Sequence, residues 1–363
     1  MRAAFVLAGL QAGGAERVIA QIAAHAVEQG WSVTVIAFDA PTDPIYHPLH
    51  PAVTLRRLAL SPGTNAFLGT ARSIRRVAAL RRVLRDGAFD VVLSFLTKIN
   101  VVTLLASLGL RLPVVVAERN NPQRQDAHPL WNRATALLYP RAAAVVVQTE
   151  RGRNALPATA RRNAVVIPNP VELRPPRDPS QSPPTLAAVG RLTHQKGFDL
   201  LLTAFAQIAP EVPRWRLVVW GDGPSRNVLE ARRNALGLAD RATFPGPSAT
   251  PAGWIDLASA FVLSSRYEGW PNVLAEAMAA SLPVVAFDCD FGPADLVEDG
   301  VSGLLIPPED VAALAAGLRR LLLSDALRQQ LADSGRRRIA RFAARDVATL
   351  WLDLLHRAGQ HRA

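Results

Sequence analysis

Short runs of uninterrupted apolar residues alternate along this chain with longer segments in which apolar positions recur every three or four residues. Runs without polar alternation suit strands buried on both faces of a parallel sheet, and the longer segments suit helices that cover it. Residues 3–8, 33–38, 91–95, 114–117 and 144–148 read as strands, with 15–29 and 72–85 among the intervening helices. The pattern stops at NPVELRPPRDPSQSPP, residues 169–184, a stretch dense in Pro and Ser with the chemistry of a linker. It then restarts, with strands at 185–189, 216–220, 260–264, 283–287 and 303–306, a helix at 198–208, and a largely helical stretch over 310–357. The pattern predicts two doubly wound α/β domains, residues 1–172 and 173–345, followed by a last helical segment, 346–363. Ligands of such sheets collect at the carboxyl ends of the strands, which puts the default site in a cleft between the domains.

Length and composition fit this division. A chain of 363 residues exceeds a typical single core. Its hydrophobic fraction is 49%, without an apolar run of the ~18 residues that a membrane span needs. The opening MRAAFVLAGLQAGGA faintly mimics a leader peptide, but its apolar run is short, and it reads instead as the first buried strand. The single cysteine, Cys289, excludes an internal disulfide and fits a reducing compartment.

The net charge of +11 is unevenly placed. Residues 1–172 hold 20 Lys and Arg against 10 Asp and Glu, a net of +10; the remainder holds 21 against 20, a net of +1. A basic first half predicts an anionic partner for that half. The densest run, ARSIRRVAALRRVLRDG at 71–87, carries Arg72, Arg75, Arg76, Arg81, Arg82 and Arg85, with Ile74, Val77, Leu80 and Leu84 at helical spacing. Such a helix either covers a core with a solvated basic face or rests on anionic lipid headgroups. No nucleic-acid module is recognisable, so nucleic acid is not an expected partner.

Three segments of the second half carry candidate chemistry. In AAVGRLTHQKGFDLL, residues 187–201, a strand ends at Gly190, and a short loop bearing Arg191 and Lys196 leads to a helix starting near Gly197. Two cations beside a helix N-terminus favour a diphosphate. In RLVVWGDGPSRNVLE, residues 216–230, Gly221, Asp222 and Gly223 follow a strand and Pro224 opens a helix; alone, this marks only a reversal. In RYEGWPNVLAEAMAA, residues 266–280, Pro271 suits the first turn of a helix. Glu268 therefore lies in the loop before that helix and Glu276 about a turn inside it, with the N–H groups near Asn272 and Val273 available to phosphate.

These segments, with SSRYEGWPNVLAEAMAASLPVVAFD and EDGVSGLLIP, resemble in order and spacing the nucleotide-sugar half of the family 4 glycosyltransferases. GLQAGGAERVIAQIA is similar to that family's N-terminal glycine loop, and VVVAERNNP (114–122) resembles a bacterial subgroup that builds capsule, exopolysaccharide and lipid-linked oligosaccharides. The resemblance implies the two-Rossmann GT-B fold, with a last helix that crosses back to the first domain, and transfer with retention from a nucleotide sugar, UDP-linked in much of the subgroup. It implies that Arg191 and Lys196 bind the diphosphate and stabilise the leaving group without a metal or other cofactor. Glu276 would hold the ribose and Glu268 the donor sugar, with Gly190, Asn272 and Val273 beside them. Gly13 and Gly14 would let the first loop approach the donor phosphates, and Glu118 and Arg119 would line the acceptor side, with neither assigned as a base. In such enzymes the donor phosphate is commonly proposed to take the acceptor's proton.

The expected partners are thus a nucleotide sugar, a glycan or lipid-linked glycan acceptor, and an anionic membrane surface at the inner face of the cytoplasmic membrane. Asp288-Cys289-Asp290 spells a D-x-D run, but it ends a strand of the wrong fold for that metal motif; His194, between the two cations, reads as a surface imidazole rather than a ligand contact, and the other histidines, His128 among them, lack metal-ligand spacing. Three other readings compete. A nicotinamide dehydrogenase needs G-x-G-x-x-G after its first strand, a register that residues 9–14 lack. An epimerase-like GT-B enzyme and a non-catalytic nucleotide-sugar binder share the fold, although the E-x7-E context and the intact cations speak against both.

Overall fold

The computed structural model describes residues 1–11, 13–60, 69–119, 129–175, 184–250 and 252–360. Ala12, His128, the Asn-Asn-Pro end of VVVAERNNP and residues 176–183 of the Pro-rich linker lie outside them.

The chain forms two compact units, residues 1–170 with 344–363, and residues 171–343. The first contains a seven-stranded sheet of β1 (Arg2–Leu7), β2 (Ser32–Ala37), β3 (Thr54–Arg57), β4 (Val91–Phe95), β5 (Val114–Ala117), β6 (Ala144–Val147) and β7 (Ala164–Val166). Their order is β3-β2-β1-β4-β5-β6-β7, with every neighbouring pair parallel. The helices that follow the strands are α1 (Gly14–Glu28), α2 (Gly69–Asp86), α3 (Thr97–Ser107), α4 (Pro129–Leu138), α5 (Glu150–Ala155) and α6 (Ala158–Arg161). The continuous apolar runs are the central strands, because only a strand covered on both faces needs apolar residues at successive positions. Every residue of β4, β5 and β6 is buried.

The second unit repeats the plan with β8 (Thr185–Val189), β9 (Arg216–Trp220), β10 (Ala242–Gly246), β11 (Ala260–Leu263), β12 (Val284–Phe287) and β13 (Leu304–Ile306), in the order β10-β9-β8-β11-β12-β13, again all parallel. Its helices are α7 (Phe198–Ile208), α8 (Arg226–Ala235), α9 (Asn272–Ala279), α10 (Pro293–Leu296), α11 (Val311–Leu322) and α12 (Asp325–Ile339). In each sheet the strand order reverses once, between β1 and β4 and between β8 and β11. Loops leaving the two strands on either side of a reversal diverge to opposite faces and leave a crevice at the carboxyl edge.

The differences from the sequence reading have local causes. Strands β3, β7 and β10 were not expected; β3 and β10 are edge strands whose residues alternate in exposure, and Pro245 interrupts the apolar run of β10. Ile74, expected on the apolar stripe of α2, is 65% exposed, while Leu80, Val83 and Leu84 make the buried contact. The units change over at 170/171 and 343/344, against the expected 172/173 and 345/346.

Helix α13 (Ala344–Gln360) follows the second unit in sequence but packs in the first, against α1 and β4. Its buried positions, Val347, Ala348, Trp351, Leu352, Leu354, Leu355 and Ala358, form one stripe. Trp351 is fully buried, its ring stacked on Phe95 at 5.7 Å between centroids. Truncating so large a core side chain removes its apolar contacts and leaves a cavity. Trp351→Ala is expected to cost the first unit about 3–5 kcal/mol in denaturant unfolding. A loss below about 1 kcal/mol would mean that α13 adds little to that core.

Candidate active site

The loops leaving β8, β9 and β11 meet at the carboxyl edge of the second sheet. After β8, the Gly190 N–H donates to the Trp220 carbonyl at 3.0 Å, and the Leu192 N–H donates to that of Asp222 at 2.9 Å. Glycine is what allows this contact. A Cβ on Gly221, whose φ is +137°, would lie 2.0 Å from the Gly190 carbonyl oxygen, and one on Gly223 would lie 2.5 Å from that of Leu192. The Gly-Asp-Gly turn is thus a surface on which the phosphate-candidate loop rests. Helix α8 begins at Arg226, two residues later than expected from Pro224, and the N–H of Ser225 just before it donates to the Leu192 carbonyl at 3.0 Å.

The same loop is held on its other side by the β11 loop. A 3-10 turn spans His194–Lys196, and Gly197 turns the chain into α7 with φ +62°. A Cβ at Gly197 would stand 2.0 Å from the Ser264 carbonyl oxygen. Ser264 Oγ donates to the Lys196 carbonyl at 2.9 Å, and the Arg266 N–H donates to the Gln195 carbonyl at 2.8 Å. Arg266 then locks the pair of loops. Its Nη1 donates to the His194 carbonyl at 2.7 Å and, with Nη2, forms a two-pronged bond to Asp199 at 2.9 and 2.7 Å; its Nε reaches Glu309 at 2.9 Å. Burial pushes the Asp199 carboxyl up, but the Arg266 hydrogen bonds and charge outweigh it and hold the group below its usual value. Sequence reasoning missed Arg266 and Asp199, which lie 67 positions apart with no local signal linking them.

The lock brings two expected site residues into contact. Lys196 Nζ donates to Glu268 Oε1 at 2.6 Å, and Ser265 Oγ donates to the same oxygen at 2.6 Å. Glu268 is only 6% exposed. The Lys196 stem crosses Gly190 so closely that a Cβ there would sit 3.1–3.2 Å from three of its carbons. Gly190 therefore clears the path of the lysine. Arg191 is exposed, and its guanidinium has no partner among the described residues.

Helix α9 starts at Asn272. Leu274 and Ala275 N–H both donate to the Pro271 carbonyl, so the N–H groups of Asn272 and Val273 precede the first intrahelical bond. Glu276 lies half-buried one turn further along α9, on a different element from Glu268. The Asp288-Cys289-Asp290 run follows β12 and lies beside this loop, with Glu268 N–H donating to the Asp290 carbonyl at 3.1 Å. It belongs to no cluster of three or more potential metal ligands among the described residues. His194 is exposed on the 3-10 turn.

In the first unit, Gly13 is the N-cap of α1 and Gly14 its first residue. The Glu16 carboxylate folds back over this end, so that a Cβ on Gly13 would meet its oxygen at 2.1 Å. Favourable interaction with the helix N-terminus accounts for that placement. The loop before α1 is pinned by residues that sequence reasoning missed. Asp39 Oδ2 accepts the Leu10 N–H at 3.1 Å, Tyr46 N–H donates to the Leu10 carbonyl at 3.0 Å, and Arg57 Nη1 bonds the carbonyls of Ala40, Pro41 and Asp43.

Glu118 and Arg119 follow β5 and diverge. The Glu118 side chain, expected on the acceptor side, turns inward and is buried. Its Oε1 accepts from the Tyr139 hydroxyl and its Oε2 from Thr97 Oγ1 at 2.8 Å, in a buried network with Asn100 and Ser94. Burial and the Glu118 charge push the Tyr139 hydroxyl well above its usual range. Arg119 instead lays its guanidinium over the Phe95 ring at 4.8 Å and donates through Nη2 to Asn169.

Two outcomes follow from this geometry. Arg266→Leu should raise amide exchange across 191–197 by about tenfold or more while β8 and β11 stay protected. Unchanged exchange would mean that glycine packing alone holds the loop. The buried Cys289 thiol, pushed up chiefly by burial, should resist iodoacetamide at neutral pH in the folded protein and react on unfolding. Rapid native labelling would place it at the surface.

The geometry matches known proteins over most of the chain. The family described as "Glycosyl transferases group 1" matches residues 172–338, and the "Glycosyl transferase 4-like domain" matches residues 13–170. An exopolysaccharide phosphotransferase of Streptomyces coelicolor is 32% identical over 283 residues, which span 76% of this chain and 29% of that protein. The Campylobacter jejuni GalNAc-alpha-(1->4)-GalNAc-alpha-(1->3)-diNAcBac-PP-undecaprenol alpha-1,4-N-acetyl-D-galactosaminyltransferase is 26% identical over 98% of both chains. Among solved structures, Anabaena HepE in complex with UDP and glucose superposes with a TM-score of 0.80 at 20% identity, covering 98% of this chain and 99% of that one, a likeness of fold. The chain belongs to the glycosyltransferases of the GT-B fold, with a 4-like domain in its first half and a group 1 domain in its second.

Proposed function

We propose that this enzyme moves a hexose or N-acetylhexosamine, with retention, from a UDP-sugar to a growing lipid-linked glycan in polysaccharide biosynthesis. The observation that carries the reading is the Lys196–Glu268 pair at the reversal of the second sheet. A diphosphate fits beside Arg191, Lys196 and the N-terminus of α9, where two cations and the positive end of a helix converge on one anion. Charge grows on that diphosphate as the glycosidic bond breaks, and fixed cations stabilise it without reorganising. Glu268 spends Oε1 on Lys196 and Ser265, and its Oε2 accepts no hydrogen bond among the described residues. That oxygen is placed to take a hydroxyl of the donor sugar. Glu276 would hold the ribose and Gly13 and Gly14 the approach to the phosphates. No metal enters this scheme.

The Campylobacter relative is named for transfer to an undecaprenyl-diphosphate-linked glycan, and the Anabaena neighbour was solved with UDP and glucose. Both names support the reading. Attachment to the inner face of the cytoplasmic membrane is part of it, but the structure narrows the basic surface available. Arg76 Nε bonds the Leu60 carbonyl at 2.8 Å, and Arg81 Nη1 bonds those of Ala106 and Leu108 at 3.0 and 2.5 Å. Arg75 and Arg82 remain exposed beside Ile74 and supply a basic and apolar face for anionic headgroups. No described helix is long and apolar enough to cross a membrane.

Glu268→Gln and Lys196→Met should each lower sugar transfer by about 100-fold or more in protein that keeps its native near-ultraviolet dichroism, the scale of losing one preorganised charge contact. Full activity in both would overturn the site. Nucleotide-sugar binding without transfer to any acceptor would favour the non-catalytic reading, and acceptor-independent conversion of the donor would favour the epimerase-like one. Separately, Arg75→Glu with Arg82→Glu should release the protein from anionic liposomes while leaving the Arg76 and Arg81 contacts intact. Undiminished binding would return α2 to an ordinary solvated helix.

A further inference from the structure

Arg119 is an expected site residue whose surroundings the proposed donor chemistry does not explain. It stands just past the carboxyl end of β5, with Phe95 beneath the plane of its guanidinium at 4.8 Å. Nη2 donates to Asn169 Oδ1, which is itself fixed by Gln148 Nε2 at 2.9 Å. The Nε and Nη1 atoms are buried and have no hydrogen-bond partner among the described residues. A buried donor without a partner costs free energy, and the cost is larger for a charged group.

The hydrogen-bonding geometry of guanidinium makes this deficit specific. The group carries five N–H donors arranged as two forks that share Nη2, one with Nε and one with Nη1. Asn169 occupies one hydrogen of Nη2. Whichever it takes, the other pairs with either the Nε or an Nη1 hydrogen, so one complete two-pronged fork is left. The ring below and the anchored edge hold that fork in one orientation. A fixed fork matches two oxygens of a tetrahedral or planar anion, and phosphate is the substrate group of this enzyme class that presents them.

We propose that Arg119 is the phosphate-binding residue of the first unit, its unpartnered fork receiving two oxygens of a substrate diphosphate. Which substrate delivers the diphosphate rests on the glycosyltransferase reading above: a nucleotide-sugar donor and a lipid-diphosphate acceptor both carry one. Burial presses the guanidinium down to about 9, against the opposing pull of the Glu16 carboxylate. A bound dianion would restore the stabilisation of the charged form that burial removes. Glu16 lies over Gly13 at the start of α1, so the glycine loop and Arg119 are joined electrostatically through it.

The test uses the full chain carrying Arg191→Gln and Lys196→Met, so that the donor cations of the second unit do not contribute. Calorimetric titration with inorganic pyrophosphate should show binding that weakens about tenfold or more on adding Arg119→Gln. Arg119→Lys, which keeps the charge and loses the fork, should fall between them. Affinity unchanged by either substitution, in proteins with native near-ultraviolet dichroism, would overturn the proposal. In the otherwise unaltered enzyme, Arg119→Lys should raise one KM selectively. A rise for a short-chain polyprenyl-diphosphate acceptor assigns the group to the acceptor, and a rise for the UDP-sugar assigns it to the donor. Loss of kcat alone, with both KM values unchanged, would contradict phosphate binding. If no nucleotide sugar is ever turned over, the broader reading fails while the pyrophosphate titration still decides the role of Arg119.

Discussion

An ammonium and a carboxylate 2.6 Å apart, both largely withdrawn from water, join loops that lie 72 positions apart in the chain. Such a pair is a poor source of stability, because the desolvation of two ions consumes most of what their attraction returns. Its position explains it better than its energy does. Lys196 and Glu268 stand on the loops leaving β8 and β11, the two strands between which the order of the second sheet reverses. The reversal leaves a crevice at the carboxyl edge of the sheet, and both charges stand on the loops beside it. The glycines of the β8 and β9 loops and the Arg266–Asp199 lock serve this one placement. The glycines let backbones touch, and the arginine keeps the two loops in register.

The first unit has the same strand plan but a different chemistry at its carboxyl edge. Its glycine loop is held by Asp39 and Tyr46, and Glu16 supplies negative charge where α1 begins. Glu118 is consumed by a buried network that steadies the end of β5, whereas Arg119 is left with donors to spare. Neighbouring residues in one motif thus differ: one side chain is built into the core, and the other keeps hydrogen-bond donors without a partner among the described residues.

Much of this was legible in the sequence. Central strands announce themselves because burial on both faces demands apolar residues at every position, so β4, β5, β8 and β9 were located to the residue. Edge strands such as β3 and β10 are half-solvated and carry no such mark. Arg191, Lys196, Glu268 and the start of α9 were readable because loop, cation and helix start fall within short segments. The lock of Arg266 on Asp199, the inward turn of Glu118 onto Tyr139 and the pinning of Leu10 by Asp39 were not. Each depends on a partner brought close only by the sheet. The Gly-Asp-Gly turn carried little meaning alone and acquired it from the carbonyls packed against it.

The central claim is that Lys196 and Glu268 grip different parts of one donor, the lysine its diphosphate and the glutamate its sugar. Comparing the affinities of UDP and of the matching UDP-sugar for Lys196→Met and Glu268→Gln tests it directly. Lys196→Met should weaken both ligands, whereas Glu268→Gln should weaken the UDP-sugar and leave UDP nearly unchanged. Equal loss of both ligands in Glu268→Gln would contradict the account.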